Sequence, residues 1–241
     1  MDRQLGQRRS LVLASIGHFV NDGTTYFVPV IAAILATRPG VSPGFITALF
    51  LVFYVSTAAA SPLVGRLADQ RGRAGMLMGL GLATLSLGLL TFYVALEVGS
   101  GLLLAAIVLL AALLTGAGAA FYHPLGGTLL QTAFAGRRMG LALGINGAIG
   151  SLGRALYPSL YFLAALAIAG YGAIGLFSVL GFAAAAVILV GMRVARARFE
   201  AIATEAPEEG AAARSIARAA PVTAGATGVR GALTFGIIVL T

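Results

Sequence analysis

The stretch Gly65-Arg66-Leu67-Ala68-Asp69-Gln70-Arg71-Gly72-Arg73 separates two apolar segments, at residues 46–64 and 76–96. Each segment is close to the roughly 20 residues that an α-helix needs to cross a bilayer. The glycines permit a tight turn between two such helices, Asp69 can accept hydrogen bonds from a neighbouring helix N-terminus, and the arginines can anchor at anionic lipid headgroups. The stretch therefore predicts a polar loop that joins two membrane-spanning helices.

The rest of the chain is equally apolar. Of its 241 residues, 59% are hydrophobic and 10% are charged, which is more apolar surface than a soluble core can bury and excludes a water-soluble globule. Further apolar segments lie at residues 11–36, 102–132, 140–163 and 167–192. The sequence therefore predicts an all-α, multi-pass bundle of six transmembrane helices over residues 1–192.

Two parts of the chain depart from regular membrane spans. The fourth segment is overlong and contains Pro124, Gly126 and Gly127, which predicts a kink or an unwound turn at its inner end. Residues 193–230 mix arginine, glutamate and alanine with two prolines, which is typical of a solvated linker. Residues 231–241 are apolar again but reach only about half the length of a span, so we expect a truncated start of a seventh transmembrane helix.

The arginines are distributed unevenly along this topology. The chain has sixteen arginines and no lysine, and fourteen of them fall on one side of the predicted membrane. Arg38 lies alone on the other side and Arg154 lies within a span. Since positive residues accumulate in cytoplasmic loops, we expect a multi-pass protein of the cell (plasma or inner) membrane with a cytoplasmic N-terminus and a cytoplasmic linker. The net charge of +8 is then a topology signal, and no nucleic-acid partner is expected.

The residue types that carry much enzyme chemistry are scarce. The chain has no cysteine, two histidines and no lysine, which excludes disulfides, thiol catalysis and a Walker-type phosphate loop. No combination of serine, histidine and carboxylate suggests a catalytic triad. We therefore expect no enzymatic activity, no cofactor and no metal site.

The quoted loop resembles the signature loop of the major facilitator superfamily, G-x-L-x-D-r-x-G-r-r. Gly65, Asp69, Gly72 and Arg73 match it, and Arg71 lies within the same signature loop. The resemblance implies two six-helix halves joined by a long cytoplasmic linker, with a small-molecule substrate bound between them and moved by alternating access. On this basis the chain is one half, embedded in the lipid bilayer. It is expected to need a C-terminal six-helix half and not to transport alone.

Two further stretches are similar to one branch of this superfamily. Residues 15–22 (SIGHFVND) and 121–124 (FYHP) resemble the fosmidomycin-resistance branch of drug exporters. This resemblance implies secondary active, proton-coupled efflux of small organic compounds or drugs. Proton-coupled symport that takes up a sugar, a carboxylate or another metabolite is the alternative, and a non-transporting membrane sensor or enzyme is a third.

The first span carries three polar residues on one helical face. His18, Asn21 and Asp22 stand at positions i, i+3 and i+4. A carboxylate in mid-membrane costs a few kcal/mol unless it faces a cavity or a partner, so Asp22 is a candidate functional residue. Arg154 lies at a matching depth in the fifth span, which indicates an ion pair with Asp22.

Two interpretations of this polar group stay open. The pair of Asp22 and Arg154 is purely structural, or else Asp22 or His18 exchanges a proton while Arg154 or His123 binds an anionic substrate group. His123 is alternatively a packing histidine, and Asn146 adds hydrogen-bonding capacity. Metal ligation by His18, Asp22 and His123 is a third reading, although a recognised helical zinc spacing is absent.

The fifth span carries glycines at short intervals, followed by a Tyr-Pro pair. Such small residues let membrane helices approach closely. The pattern resembles the exporter motif G-x-x-x-G-P through Gly153 and Pro158. It predicts a helix-packing ridge whose members include Gly147, Gly150, Gly153 and Pro158.

Overall fold

A computed structural model describes residues 2–71, 74–134 and 138–205, which form seven α-helices and no strand. The predicted all-α, multi-pass bundle is confirmed. The helices are α1 (Asp2–Ala36), α2 (Pro43–Arg71), α3 (Ala74–Val98), α4 (Gly101–Ala119), α5 (Tyr122–Ala133), α6 (Met139–Ala167) and α7 (Gly172–Glu205).

Five helical stretches among the described residues are long and apolar enough to cross a membrane. They are Gly6–Ala36, Pro43–Ala68, Ala74–Val98, Gly101–Ala133 and Gly172–Met192. Helix α6 is not among them, although its 29 residues would reach about 43 Å. Its polar residues, including Asn146 and Arg154, and its many glycines lower its hydropathy. A sixth span at α6 stays a prediction that its length fits.

The polar stretch after the second span is more helical than the sequence predicts. Helix α2 continues to Arg71, so Gly65, Asp69 and Arg71 lie on its last two turns and not in a loop. The reason is that Arg, Leu, Ala and Gln favour helix, and no proline interrupts residues 65–71. Gly72 and Arg73 lie outside the described residues.

The fourth span is interrupted, as its proline and glycines predict, but the break comes earlier. Helix α4 ends at Ala119 and α5 begins at Tyr122. The Phe121 N–H donates to the Gly118 carbonyl at 3.3 Å, which tightens the chain at the junction. Pro124 falls in the first turn of α5, where its missing N–H would have no helical partner. The interruption therefore precedes the proline.

The last helix begins and ends later than predicted. A turn with Gly170 at φ +61° precedes α7, a backbone conformation that glycine adopts without steric cost. Helix α7 then runs to Glu205, into the predicted linker at residues 193–230. The residues up to Ala197 form one compact unit. Residues 206–241, with the expected start of a seventh transmembrane helix, lie outside the described residues.

Helices α1 and α6 pack side by side in parallel, in steps of four residues. A side chain on Gly153 would overlap the Phe19 carbonyl, and one on Gly23 would overlap the Tyr157 ring. One turn further, the rings of Phe27 and Tyr161 lie 4.8 Å apart. In the first two contacts a glycine on one helix meets an aromatic residue on the other, and in the third contact two aromatic rings meet, as in the interlocking of i±4 ridges.

The small-residue ridge on α6 is narrower than predicted. Gly150 and Gly153 face α1, where an added Cβ would overlap the His18 ring or the Phe19 backbone. Gly147 has nothing within 4 Å of such a Cβ and takes no part in this packing. Pro158 lies half-buried inside α6. The reason is the helical repeat of 3.6 residues, because each step of three residues falls short of a full turn. From Gly153 through Gly150 to Gly147, the glycines therefore move around the helix, away from the face that α1 covers.

Arg38 follows α1 at the end of the bundle opposite the N-terminus of that helix. It contacts the C-terminal end of α3 and the turn before α7. Its guanidinium donates to the Leu96 carbonyl and, at 3.4 Å, to the Gly99 carbonyl, which both lie at the end of α3. The same group lies 5.1 Å from the centre of the Tyr171 ring. A cation at the C-terminal end of a helix also interacts favourably with the helix dipole.

We expect Arg38→Ala to lower the free energy of unfolding by about 1–3 kcal/mol, because it leaves carbonyls at the end of α3 without their charged donor. Thermal unfolding of the purified protein in detergent measures this change. Arg66→Ala, at an exposed arginine on α2, is the matched control. Equal melting temperatures for the two variants would contradict the stabilising role of Arg38.

Candidate functional site

Asp22 is the centre of a polar cluster at the middle of α1. It is only 4% exposed. It lies about 21 Å along the helix axis from the Ala36 end of α1. His18 Nε2 lies 3.3 Å from Asp22 Oδ2, and His123 Nε2 lies 3.5 Å from Oδ1. Asn21 Nδ2 donates to Oδ1 at 3.1 Å. The carboxylate therefore has polar neighbours on both of its oxygens.

The predicted partner Arg154 does reach Asp22. Its Nε lies 3.7 Å from Asp22 Oδ2, and its Nη2 donates to the Ser151 hydroxyl at 2.8 Å. The guanidinium carbon also lies 5.4 Å from the centre of the Tyr26 ring. Because a guanidinium carries five N–H donors, several remain for a further ligand. Asp22 and Arg154 balance each other in charge, so one proton taken up by either histidine gives the cluster a net positive charge.

His18 is held between α1, α5 and α6. Its ring stacks on Tyr122 with the centroids 4.6 Å apart, and its Nδ1 lies 2.9 Å from the Asn146 carbonyl. Gly150 makes this position possible, because any side chain there would overlap the imidazole. The ring is thus fixed by packing as well as by hydrogen bonds, which suits a group that must present one nitrogen to Asp22.

Tyr122 belongs to the cluster, although the sequence did not single it out. Its hydroxyl lies 2.9 Å from Asn146 Oδ1 and 2.8 Å from the Ala14 carbonyl. A buried tyrosine hydroxyl needs such hydrogen-bond partners. A tyrosine next to a histidine in an otherwise apolar span is therefore the sequence feature that could have indicated Tyr122. Ser151 was missed too, since a serine among the small residues of α6 reads as packing.

One face of α1 is polar well beyond Asp22. Ser15, His18, Asp22 and Thr25 follow each other at intervals of three or four residues, which places them along one stripe. Among the described residues, Ser15 Oγ, Asn21 Oδ1 and Thr25 Oγ1 are buried and have no hydrogen-bond partner. Buried polar atoms are normally satisfied, so this stripe has unused hydrogen-bonding capacity.

The cluster is buried on one side and open on the other. The side chains of Asp22 and His18 are 5% and 13% exposed, whereas those of His123 and Arg154 are 66% and 40% exposed. Tyr26 is also half exposed. A solute that reached the open side would meet two cation-capable groups first and the carboxylate behind them.

Three of these residues also bear on metal binding, for which the sequence predicts no site. His18, Asp22 and His123 offer ligand atoms within 4.8 Å of one another. Imidazole and carboxylate are common ligands of divalent transition metals. However, the Arg154 cation contacts the same carboxylate, so a metal ion would have to compete with it for Asp22. This arrangement favours an ion-pair network over a metal centre.

The structure brings together every residue predicted for the cavity. They are His18, Asn21, Asp22, His123, Asn146 and Arg154. The predicted signature-loop residues Gly65, Asp69 and Arg71 lie apart from this cluster, at the end of α2. The positions of Asp22 and Arg154 along their helices were therefore enough to predict that these two residues meet. The hydrogen bonds through Tyr122 and Asn146 are visible only in the structure.

The chain matches a protein-family model. A family model described as Major Facilitator Superfamily matches residues 14–241, which is nearly the whole chain. No curated protein matches it.

Proposed function

Because the chain belongs to the major facilitator superfamily, whose members are membrane transporters, we propose that it takes part in proton-coupled transport of a small molecule. The single observation that carries the proton coupling is the buried Asp22 carboxylate in the middle of a helix long enough to span a membrane, in contact with two histidines and an arginine. Ionisable groups at such depth are costly and mark ion or substrate pathways.

The coupling we propose uses the charge balance of the cluster. With Asp22 ionised, its carboxylate holds Arg154 at 3.7 Å. A proton received by Asp22 or His18 weakens this attraction, which couples protonation to the position of Arg154 at the open side of the cluster. The substrate class that this supports is a small organic compound with an anionic group. Asp22 and His18 are the proton carriers of the proposal, and Asn21 supports Asp22. His123 and Arg154 are its binding groups for the anionic substrate.

Export is the direction we propose, on the likeness of residues 15–22 and 121–124 to the fosmidomycin-resistance branch of drug exporters. We further propose that the N-terminus is cytoplasmic, in the plasma or inner membrane, since fourteen arginines lie on that side. Residues 1–192 form the N-terminal bundle of the proposal and residues 193–230 its linker. A C-terminal six-helix half completes the cavity.

The contact between Arg154 and Asp22 favours uptake as a second candidate function. If protonation of Asp22 frees Arg154, the proton and an anionic substrate bind together rather than compete. Such cooperative binding is the logic of proton symport of a carboxylate. Export by antiport would instead require the loaded and the protonated states to exclude each other. The direction of flux therefore decides between the two.

Flux in vesicles that carry the full-length transporter tests both candidates. We expect movement of anionic amphipathic compounds to follow an imposed pH gradient and to stop when a proton ionophore collapses it. Flux against the direction of proton flow supports export, and flux with the protons supports uptake. Transport that is indifferent to the ionophore would contradict proton coupling. Empty vesicles given the same gradient control for passive diffusion of the protonated compound.

A further inference from the structure

His18 Nδ1 lies between two groups of Asn146 that have opposite hydrogen-bonding character. The Asn146 carbonyl oxygen, which can only accept, lies 2.9 Å away, and the Asn146 Nδ2, which can only donate, lies 3.1 Å away. A ring nitrogen either carries a proton and donates or has a free lone pair and accepts. One of the two groups suits each state, so Nδ1 finds a partner at Asn146 whether or not it is protonated.

The other ring nitrogen has no such choice. His18 Nε2 faces Asp22 Oδ2 at 3.3 Å, and an ionised carboxylate only accepts hydrogen bonds. Nε2 therefore carries a proton in both states while Asp22 is ionised. The difference between neutral and charged His18 then lies at Nδ1, the atom that faces Asn146.

Tyr122 extends this arrangement by one more residue. Its hydroxyl has a single proton and two acceptors within reach, Asn146 Oδ1 at 2.9 Å and the Ala14 carbonyl at 2.8 Å. When it donates to Oδ1, it holds the Asn146 amide with Nδ2 toward a neutral His18. When it donates to Ala14, the amide is free to turn, so that Oδ1 accepts from a protonated Nδ1 and Nδ2 donates to the tyrosine oxygen. Both protonation states thus have a complete set of hydrogen bonds.

We propose that Asn146 and Tyr122 are positioning residues that reverse their hydrogen bonds when His18 Nδ1 gains or loses a proton. The inference rests on the proposed function, because it states how the coupling site accommodates its proton. His18, Tyr122 and Asn146 belong to α1, α5 and α6, so the reversal changes contacts among three helices. The charged and titratable groups that face His18 are Asp22, Tyr122, His123 and Arg154. Of the two His18 ring nitrogens, Nδ1 is the one that contacts the Asn146 amide.

Nitrogen NMR of the full-length transporter with ¹⁵N-labelled histidine, in lipid nanodiscs, tests the proposal. This chain contributes two histidines, and His123→Gln identifies the signals of His18. We expect neutral wild-type His18 to carry its proton on Nε2. In Asn146→Leu the side-chain donor is gone and the backbone acceptor remains, so the Nδ1 signal should move away from its wild-type position toward that of a nitrogen that donates a hydrogen bond. Tyr122→Phe should shift the same signals in the same direction by a smaller amount.

The controls separate positioning from general packing. Tyr157→Phe removes another buried tyrosine hydroxyl that faces α1, one turn or more away from His18, and should leave the His18 spectrum unchanged. If Asn146→Leu does not fold, Tyr122→Phe alone decides the question. A neutral wild-type His18 protonated on Nδ1, or folded variants with wild-type spectra, would overturn the proposal.

The spectra do not depend on transport, so the two proposals can fail separately. We expect Tyr122→Phe also to change the pH profile of gradient-driven flux. Changed spectra together with an unchanged pH profile would support the hydrogen-bond reversal and contradict proton coupling at His18. Wild-type spectra together with ionophore-sensitive flux would contradict the reversal and leave proton coupling in place.

Discussion

Asp22→Asn should abolish gradient-driven flux, with a loss of tenfold or more, while the transporter still folds and still exchanges substrate without a gradient. The amide has nearly the shape of the carboxylate and can keep hydrogen bonds to His18 and His123, but it takes up no proton at physiological pH. It also leaves Arg154 without its counter-charge. A tenfold loss of flux corresponds to about 1.4 kcal/mol. Because the Arg154 side chain is 40% exposed, it keeps part of its hydration when the counter-charge is removed, so we expect the variant to fold.

The measurement compares proton-driven flux with substrate counterflow in vesicles that contain equal amounts of transporter. Glu97→Gln is the matched control, since this carboxylate accepts the Tyr171 N–H at the Arg38 end of the bundle, where the amide oxygen can replace it. We expect that control to transport as the wild type does. Unchanged gradient-driven flux in Asp22→Asn would reduce Asp22 to a structural partner of Arg154 and direct attention to His18 or His123.

Among glycine-to-alanine substitutions on α6, we expect Gly153→Ala to lower the free energy of unfolding most. The new Cβ would overlap the Phe19 carbonyl, and backbone atoms on both helices cannot move aside as a side chain can. Overpacking of this kind costs about 1–3 kcal/mol or more. Because Arg154 follows directly in sequence, separation of α1 and α6 would also lengthen its contact with Asp22.

Gly147→Ala is the matched control on the same helix, because a Cβ there meets nothing within 4 Å. It should be neutral or stabilise by up to about 1 kcal/mol, since alanine favours helix over glycine. Thermal unfolding in detergent, followed by size-exclusion recovery after heating, measures both variants. If both behaved alike, the close approach of α1 and α6 at Gly153 would be wrong.

Much of this fold was predictable because apolar length is a strong signal. The first span was placed at 11–36, and α1 does end at Ala36. The contact of Asp22 with Arg154 followed from two depths alone, since both helices enter from the same side. By contrast, Gly65 was read as a turn, although a glycine between good helix formers need not end a helix.

The sequence does not determine how each helix is rotated about its own axis, and therefore which of its residues face a neighbouring helix. The ridge on α6 contains several glycines at similar spacing, and only contact with α1 distinguishes Gly153 from Gly147. The same limit applies to Tyr122, whose hydroxyl reaches Asn146 because α5 begins at the break after Ala119. Partners that lie more than a hundred residues apart, such as His18 and Asn146, are set by packing that no local pattern encodes.

The long sequence separation within the polar cluster has a consequence for how the protein is made. The first helix leaves the ribosome with Asp22 and His18 already in place, but Arg154 is synthesised 132 residues after Asp22. At about 5–20 residues per second, that interval is on the order of ten seconds. During it the carboxylate on the nascent α1 has no arginine partner, which raises the cost of placing this helix in the bilayer core until α6 arrives.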